Sequence, residues 1–227
     1  MRDTGGLVMP PHESTFNVPR RAGAVDGGGV MINGGCGSGV IGMSQAADYD
    51  LVIAVDIEPA AVRYSRMNSV INDQPPRVVE GNLLGAEMVA LGGGDHLIFN
   101  APASIGEWRT DFAEAGRRLL HELCSALPRL VRSNGIAHVN LLIEVPGSLG
   151  SPAVVVERGL RSLRARRREV FKCRDSGFHV PPESIERGLT PPGWLLVREP
   201  RDRTRIIDHC RTRGIREIVP AVVMVQL

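Results

Sequence analysis

Short, unbroken apolar runs alternate along the chain with longer stretches in which apolar residues recur every three or four positions. Val30-Met31-Ile32, Leu51-Val52-Ile53-Ala54-Val55 and Leu97-Ile98-Phe99 are such runs, each bounded by glycine or polar residues. Unbroken runs of this length mark strands covered on both faces, as in a parallel sheet. Residues 40–47, 59–72, 83–91 and 110–131 read as the intervening helices. In the longest, Phe112, Leu119, Leu123, Leu127 and Leu130 share one face, and Pro128 is expected to break or kink the last turn. Pro59 suits a first helical position, where its missing N–H costs nothing. Residues 77–80 read as a third strand, 96–99 as a fourth and 136–145 as a fifth, entered through an Asn134-Gly135 turn. Ser151 caps a helix that starts at Pro152 and runs to about 163. Beyond it, 169–173 and 194–198 read as strands, 204–213 as a helix stopped by Gly214, and 221–227 as a closing strand.

The βαβ alternation predicts an α/β, doubly wound, mostly parallel sheet with helices on both faces. Residues 30–227 then form one domain. Residues 1–29, rich in Gly and Pro, read as a lead-in arm with little regular structure. Residues 174–193, with Pro181-Pro182 and Pro191-Pro192, read as a lid or a long connection.

Composition narrows the class. A chain of 227 residues with 43% hydrophobic content can bury one full core. No apolar run approaches the ~20 residues of a spanning helix. The first residues, Met1-Arg2-Asp3-Thr4-Gly5-Gly6, lack an apolar signal core, so a cytoplasmic location is expected. Cys36, Cys124, Cys173 and Cys210 form no CxxC pair, which argues against a zinc site or a disulfide framework. No other ligand cluster suggests a metal. The net charge of +2 makes no general case for nucleic acid. One basic run stands out, from Arg158 through Arg161, Arg164, Arg166, Arg167 and Arg168 to Lys172 and Arg174. A solvated face explains it, and a phosphate-binding patch is the rival reading.

The chemistry concentrates between residues 30 and 103. Gly34-Gly35-Cys36-Gly37-Ser38-Gly39 follows the first strand and opens the first helix. Glycines there let backbone approach a ligand, because no Cβ intrudes. Asp56 ends the second strand about twenty residues on, the spacing at which an acid can accept both hydroxyls of a ribose. Gly37-Ser38-Gly39-Val40-Ile41-Gly42 matches the dinucleotide pattern GxGxxG, but it starts late relative to the strand. The register Gly35-x-Gly37-x-Gly39 follows the strand directly.

In that register, residues 35–42 resemble the first motif of the class I S-adenosylmethionine-dependent methyltransferases. Val55-Asp56-Ile57-Glu58-Pro59 resembles the second motif, and Gly81-Asn82-Leu83-Leu84 the third. Asp95 to Pro102 resembles the fourth, where Asn-Pro-Pro-aromatic is usual and this chain has Asn100-Ala101-Pro102-Ala103. Helix 61–72, with Asn68 and Asn72, and the arm Val8-Met9-Pro10-Pro11-His12-Glu13 resemble the small-domain branch. That branch methylates release-factor glutamines and ribosomal RNA guanines. The resemblance spans about residues 7–145, and implies a seven-stranded sheet with an antiparallel last strand.

It also implies S-adenosylmethionine as cofactor, S-adenosylhomocysteine as product, and cofactor contacts from Asn33, Gly35, Cys36, Gly37, Gly39, Asp56, Ile57, Asn82, Leu83 and Asn100. Asn100, the Ala101 carbonyl and Pro102 would aim the acceptor atom. His12 and Glu13 of the arm, with Trp108, are candidate substrate contacts. His138, Glu144 and His179 are further candidate bases, for which structural roles are favoured. Asn33 and Asn82 replace the acids that usually meet the cofactor's methionine amino group and adenine amino group. Asparagine can still accept a hydrogen bond but brings no charge. Ala103 replaces the aromatic that packs on planar acceptors.

The expectation is a methyltransferase acting on nitrogen, or on a carboxylate or hydroxyl oxygen, of a small-molecule acceptor. One rival is methylation of RNA or protein, with the arginine run lining the acceptor groove. A nicotinamide oxidoreductase would need a hydride site with a proton donor, which the sequence does not offer. A non-catalytic cofactor-binding protein of the same fold is the third rival.

Overall fold

The computed structural model describes residues 8, 11, 13–22, 28–73, 76–86, 88, 92–101, 122–172 and 200–227. In chain order these form α1 (Glu13–Ala22), β1 (Val30–Gly34), α2 (Val40–Ser44), a 3₁₀ turn (Ala46–Asp48), β2 (Leu51–Asp56), α3 (Pro59–Ile71), β3 (Arg77–Glu80), β4 (Gly94–Asn100), α4 (122–130), β5 (Val131–Pro146), α5 (Pro152–Gly159), β6 (Arg167–Lys172), α6 (Pro200–Arg213) and β7 (Ile215–Gln226).

The seven strands build one sheet in the order β3-β2-β1-β4-β5-β7-β6. Neighbours from β3 to β5 are parallel, while β7 runs antiparallel to both β5 and β6. The order reverses between β1 and β4, and in open α/β sheets the crevice at that switch point receives ligands.

Side chains alternate between the two faces. Ile32, Ile53, Leu97, Phe99, Ala137, Val139 and Val223 point one way and pack with Leu123, Leu127 and Leu130 of α4 and Val156 of α5. Met31, Val52, Ile98 and Val222 point the other way, toward Val18 of α1 and Ile41 of α2.

The lead-in arm is more regular than expected. α1 forms despite Pro19, which removes one helical donor. Thr15, Val18 and Ala22 recur at helical spacing, and Val18 is wholly buried. Packing across β4 and β5 therefore outweighs weak local propensity.

Other boundaries also move. Where a helix was expected over 83–91, the described residues make i→i+3 bonds, Gly85 N–H to the Asn82 carbonyl at 2.8 Å and Met88 N–H to the Gly85 carbonyl at 3.3 Å, while residues 87 and 89–91 lie outside the described ones. Asn134 (φ 74°) and Gly135 lie within β5 at a register irregularity, so the strand starts at Val131. α2 stops at Ser44 and the 3₁₀ turn follows, dividing the helix expected over 40–47. Ser151 caps α5 through its side-chain oxygen and the Val154 N–H, but the helix stops at Gly159, short of 163. The strand expected at 194–198 and the lid or connection at 174–193 lie outside the described residues.

Candidate functional site

Four chain segments meet at the carboxyl edge of the sheet, around the switch point. The glycine loop leaves β1 with Gly35, Gly37 and Gly39 all in the left-handed region, at φ 59°, 54° and 84°. A Cβ on Gly39 would sit 2.5 Å from Ser65 Oγ of α3, so only glycine lets the loop lie against that helix. Asn68, one turn further along α3, donates to the Ser38 carbonyl at 2.9 Å and fixes the loop from beneath. Cys36 N–H donates to the Val55 carbonyl at 3.0 Å, which joins the loop to β2.

Asp56 stands at the end of β2. One carboxylate oxygen accepts from Gly37 N–H at 2.8 Å and the other from Glu58 N–H at 3.0 Å. Its carbonyl accepts from Gly81 N–H at 2.9 Å, which draws in the segment after β3. Each carboxylate oxygen retains a lone pair for a further donor. Ile57 beside it is half exposed.

Asn82 is exposed, and its side-chain oxygen accepts from Leu84 N–H at 3.1 Å. Leu83 is buried and faces Gly34, where a Cβ would collide with it. Asn100 ends β4, and its carbonyl oxygen lies 3.4 Å from where a Cβ on Gly35 would sit. Its side-chain oxygen accepts from Asn140 Nδ2 of β5 at 2.8 Å.

Asn33 is wholly buried under the start of α2, and neither polar atom of its amide finds a protein partner. Orphaned buried amides are costly unless a ligand or ordered water completes them. Burial pushes the Cys36 thiol up to about 12, and the Asp56 carboxylate adds to the rise. The thiol therefore stays protonated and is no nucleophile.

The structure thus brings Asn33, Gly35, Cys36, Gly37, Gly39, Asp56, Ile57, Asn82, Leu83, Asn100 and Ala101 into one region. Val8 of the arm passes over the loop, its Cγ1 3.9 Å from the Gly37 Cβ position. Glu13 opens α1. His12, Pro102, Ala103, Trp108 and His179 lie outside the described residues.

Among the candidate bases, His138 is buried in a chain in which Tyr49 Oη meets His96 Nδ1 at 2.5 Å and His96 Nε2 meets His138 Nδ1 at 2.8 Å. Burial lowers His138 to about 4, with Glu169 opposing the fall. It lowers His96 to about 3, helped by His138. Both are structural groups. Glu144 pairs with His209 at 3.1 Å. Asn140 and Ser65 escaped the sequence reading, since a lone Asn in a strand and a lone Ser in a helix carry no local signal.

Of the basic run from Arg158 to Arg174, Arg167 and Arg168 lie at the other edge. Arg167 pairs in register with Gln226, which faces Ile136 near the start of β5. Arg168 is bound to Glu157 and the Leu163 carbonyl, and Arg167 to Glu169. Arg167 and Arg168 therefore lie away from the carboxyl edge, whereas Lys172 of the same run pairs with Ala221, which faces Leu141 beside Asn140, and Arg174 lies outside the described residues.

No protein-family model and no curated protein matches the chain. Solved structures do. A putative methyltransferase from Bacillus halodurans superposes with a TM-score of 0.55 at 9% identity, covering 93% of this chain and 97% of that one. The strand order and the antiparallel β7 agree with the arrangement expected for that class. The chain has the class I methyltransferase fold.

Other neighbours with this methyltransferase fold serve different substrates. A geranyl diphosphate methyltransferase, solved with its substrate and sinefungin, gives a TM-score of 0.57 at 13% identity, covering 94% of this chain and 76% of that one. An rRNA methylase from Streptococcus thermophilus gives 0.52 at 10% identity over 96% and 98%. At such identities the likeness carries the methyltransferase fold and not the acceptor.

Proposed function

We propose that the chain binds S-adenosylmethionine at the carboxyl edge of β1, β2 and β4 and transfers its methyl group to a small-molecule acceptor. The observation that carries this reading is the linkage of Asp56 to the glycine loop through Gly37 N–H at 2.8 Å. It sets an acid with free lone pairs beside a loop that no Cβ fills, as a ribose and an amino-acid tail require. The orphaned Asn33 amide supports the same reading, since a ligand amino or carboxylate group would complete it.

When bound, the sulfonium supplies an activated methyl with a neutral leaving group. The protein's share of the work is then to orient and desolvate. Gly35 and Gly37 leave room for the ligand, Asp56 holds the ribose, and Asn100 faces the acceptor. A small acceptor fits two features: Arg167 and Arg168 lie at the far edge and are engaged by Glu169 and Glu157, and Ala103 offers no aromatic surface to stack on a base. The geranyl diphosphate enzyme shows that this fold accommodates small acceptors.

Calorimetry with S-adenosylhomocysteine tests the reading. Asp56→Ala should weaken binding by about 10- to 100-fold, the worth of hydrogen bonds to a charged group. Absence of binding by the unaltered protein at millimolar ligand would overturn it.

A further inference from the structure

Asn100 and Asn140 are register partners on the adjacent parallel strands β4 and β5, and both amides lie on the face toward α1. Asn140 is 8% exposed, donates to Asn100 Oδ1 at 2.8 Å, and leaves its own Oδ1 buried without a protein partner. Turning both amides round would bury both N–H donors of Asn140 unpaired, in place of one N–H and one oxygen. That is the costlier arrangement, because buried orphan donors are rarer than undersatisfied carbonyls. The Asn100 oxygen is therefore directed into the sheet, and its NH₂ group is the part left for a ligand at the edge.

We propose that Asn140 is a positioning residue that fixes Asn100 with its N–H donors toward the acceptor, so that the site takes an anionic oxygen, such as a carboxylate, rather than an N–H group. The inference rests on the cofactor reading above. An amide NH₂ donates and cannot accept, so it holds an oxygen lone pair and offers nothing to an N–H. The acceptor's oxygen forms the new bond to the methyl carbon, and the carbon–sulfur bond breaks with its electron pair passing to sulfur. Anion and sulfonium become an ester and a thioether, both neutral, and no proton has to leave. That agrees with the surroundings. Among the described residues, Asp56 is held by Gly37 and Glu58, His138 two residues back along β5 is engaged with His96, and the Glu144–His209 pair lies four residues further along, about 13 Å of strand.

The test is nitrogen-edited NMR of the side-chain amides in the full chain saturated with S-adenosylhomocysteine, with Asn100 and Asn140 assigned from single variants. Benzoate and aniline, matched in size, are the probes. Benzoate should move the Asn100 NH₂ resonances and aniline should not. In Asn140→Ala the benzoate response should weaken about fivefold, the loss of one hydrogen bond's worth of orientation. Asn140→Asp can only accept, so it should turn the Asn100 amide round and reverse the preference. A response to aniline alone, to neither probe, or a wild-type response in Asn140→Ala overturns the proposal. Cofactor-product affinity, measured separately, should survive in both variants. Its absence in the unaltered protein would instead overturn the methyltransferase reading.

Discussion

The two faces of the sheet are built from different materials. Toward α4 and α5, every buried strand side chain among the described residues is apolar, such as Ile32, Leu97, Val139 and Val223, and Arg168 of β6 meets Glu157 of α5 at the margin. Toward α1 and α2, the same strands carry every buried polar residue described on them: Asn33, His96, His138 and Asn140. An apolar face gains stability by burial and tolerates changes in detail. A polar face gains little net energy from each bond, but penalises any arrangement that leaves a partner unpaired. The first face holds the sheet together, and the second fixes how its strands and its edge residues are set.

The widest separation of the two faces should come from pH. His96 and His138 are held neutral in the fold, below the usual histidine value, so their stabilising effect is complete above pH 6.5 and lost as pH falls toward 4. Between pH 7 and pH 5 the two histidines together should cost about 4 kcal/mol, read from urea unfolding at each pH. Replacing the whole chain of groups, with Tyr49→Phe, His96→Leu and His138→Leu, should flatten that slope. An unchanged slope would mean that other groups govern acid sensitivity.

Leu127→Ala, on the apolar face, should cost about 3 kcal/mol at every pH. Its cofactor-product affinity at neutral pH should match the unaltered protein in calorimetry. A change in affinity would show that the faces are coupled.

The smallest effect belongs to the site. Asn68→Ala removes the bond to the Ser38 carbonyl, with an expected cost of about 1 kcal/mol in unfolding. Its larger signature should be binding, weakened by up to about fivefold because the glycine loop loses its support. Equal affinity would mean that Gly39 and Ser65 set the loop unaided.

The half of the sheet from β3 to β4 was legible, because glycine and acidic residues punctuate its buried runs and the motifs fall on strand ends. β7 was less so. The closing strand was expected over 221–227. In the structure β7 starts at Ile215. Pro220 pairs with Leu142 of β5, one residue beyond the last described β6 pairing, Lys172 with Ala221. α1 was hidden for a different reason: its helical state comes from three residues meeting the sheet, and their partners lie far along the chain.

The position of β7 has a consequence for assembly during synthesis. β6 emerges from the ribosome before β7, yet its described pairing is with β7 alone. It therefore waits, while β5 presents an open edge of backbone groups in the nascent chain. The nucleoside-facing half, with its local βαβ contacts, can organise earlier, whereas the other half closes only when a distant segment slides between two strands already made. The strand order therefore places that seam among the last parts of the sheet to close.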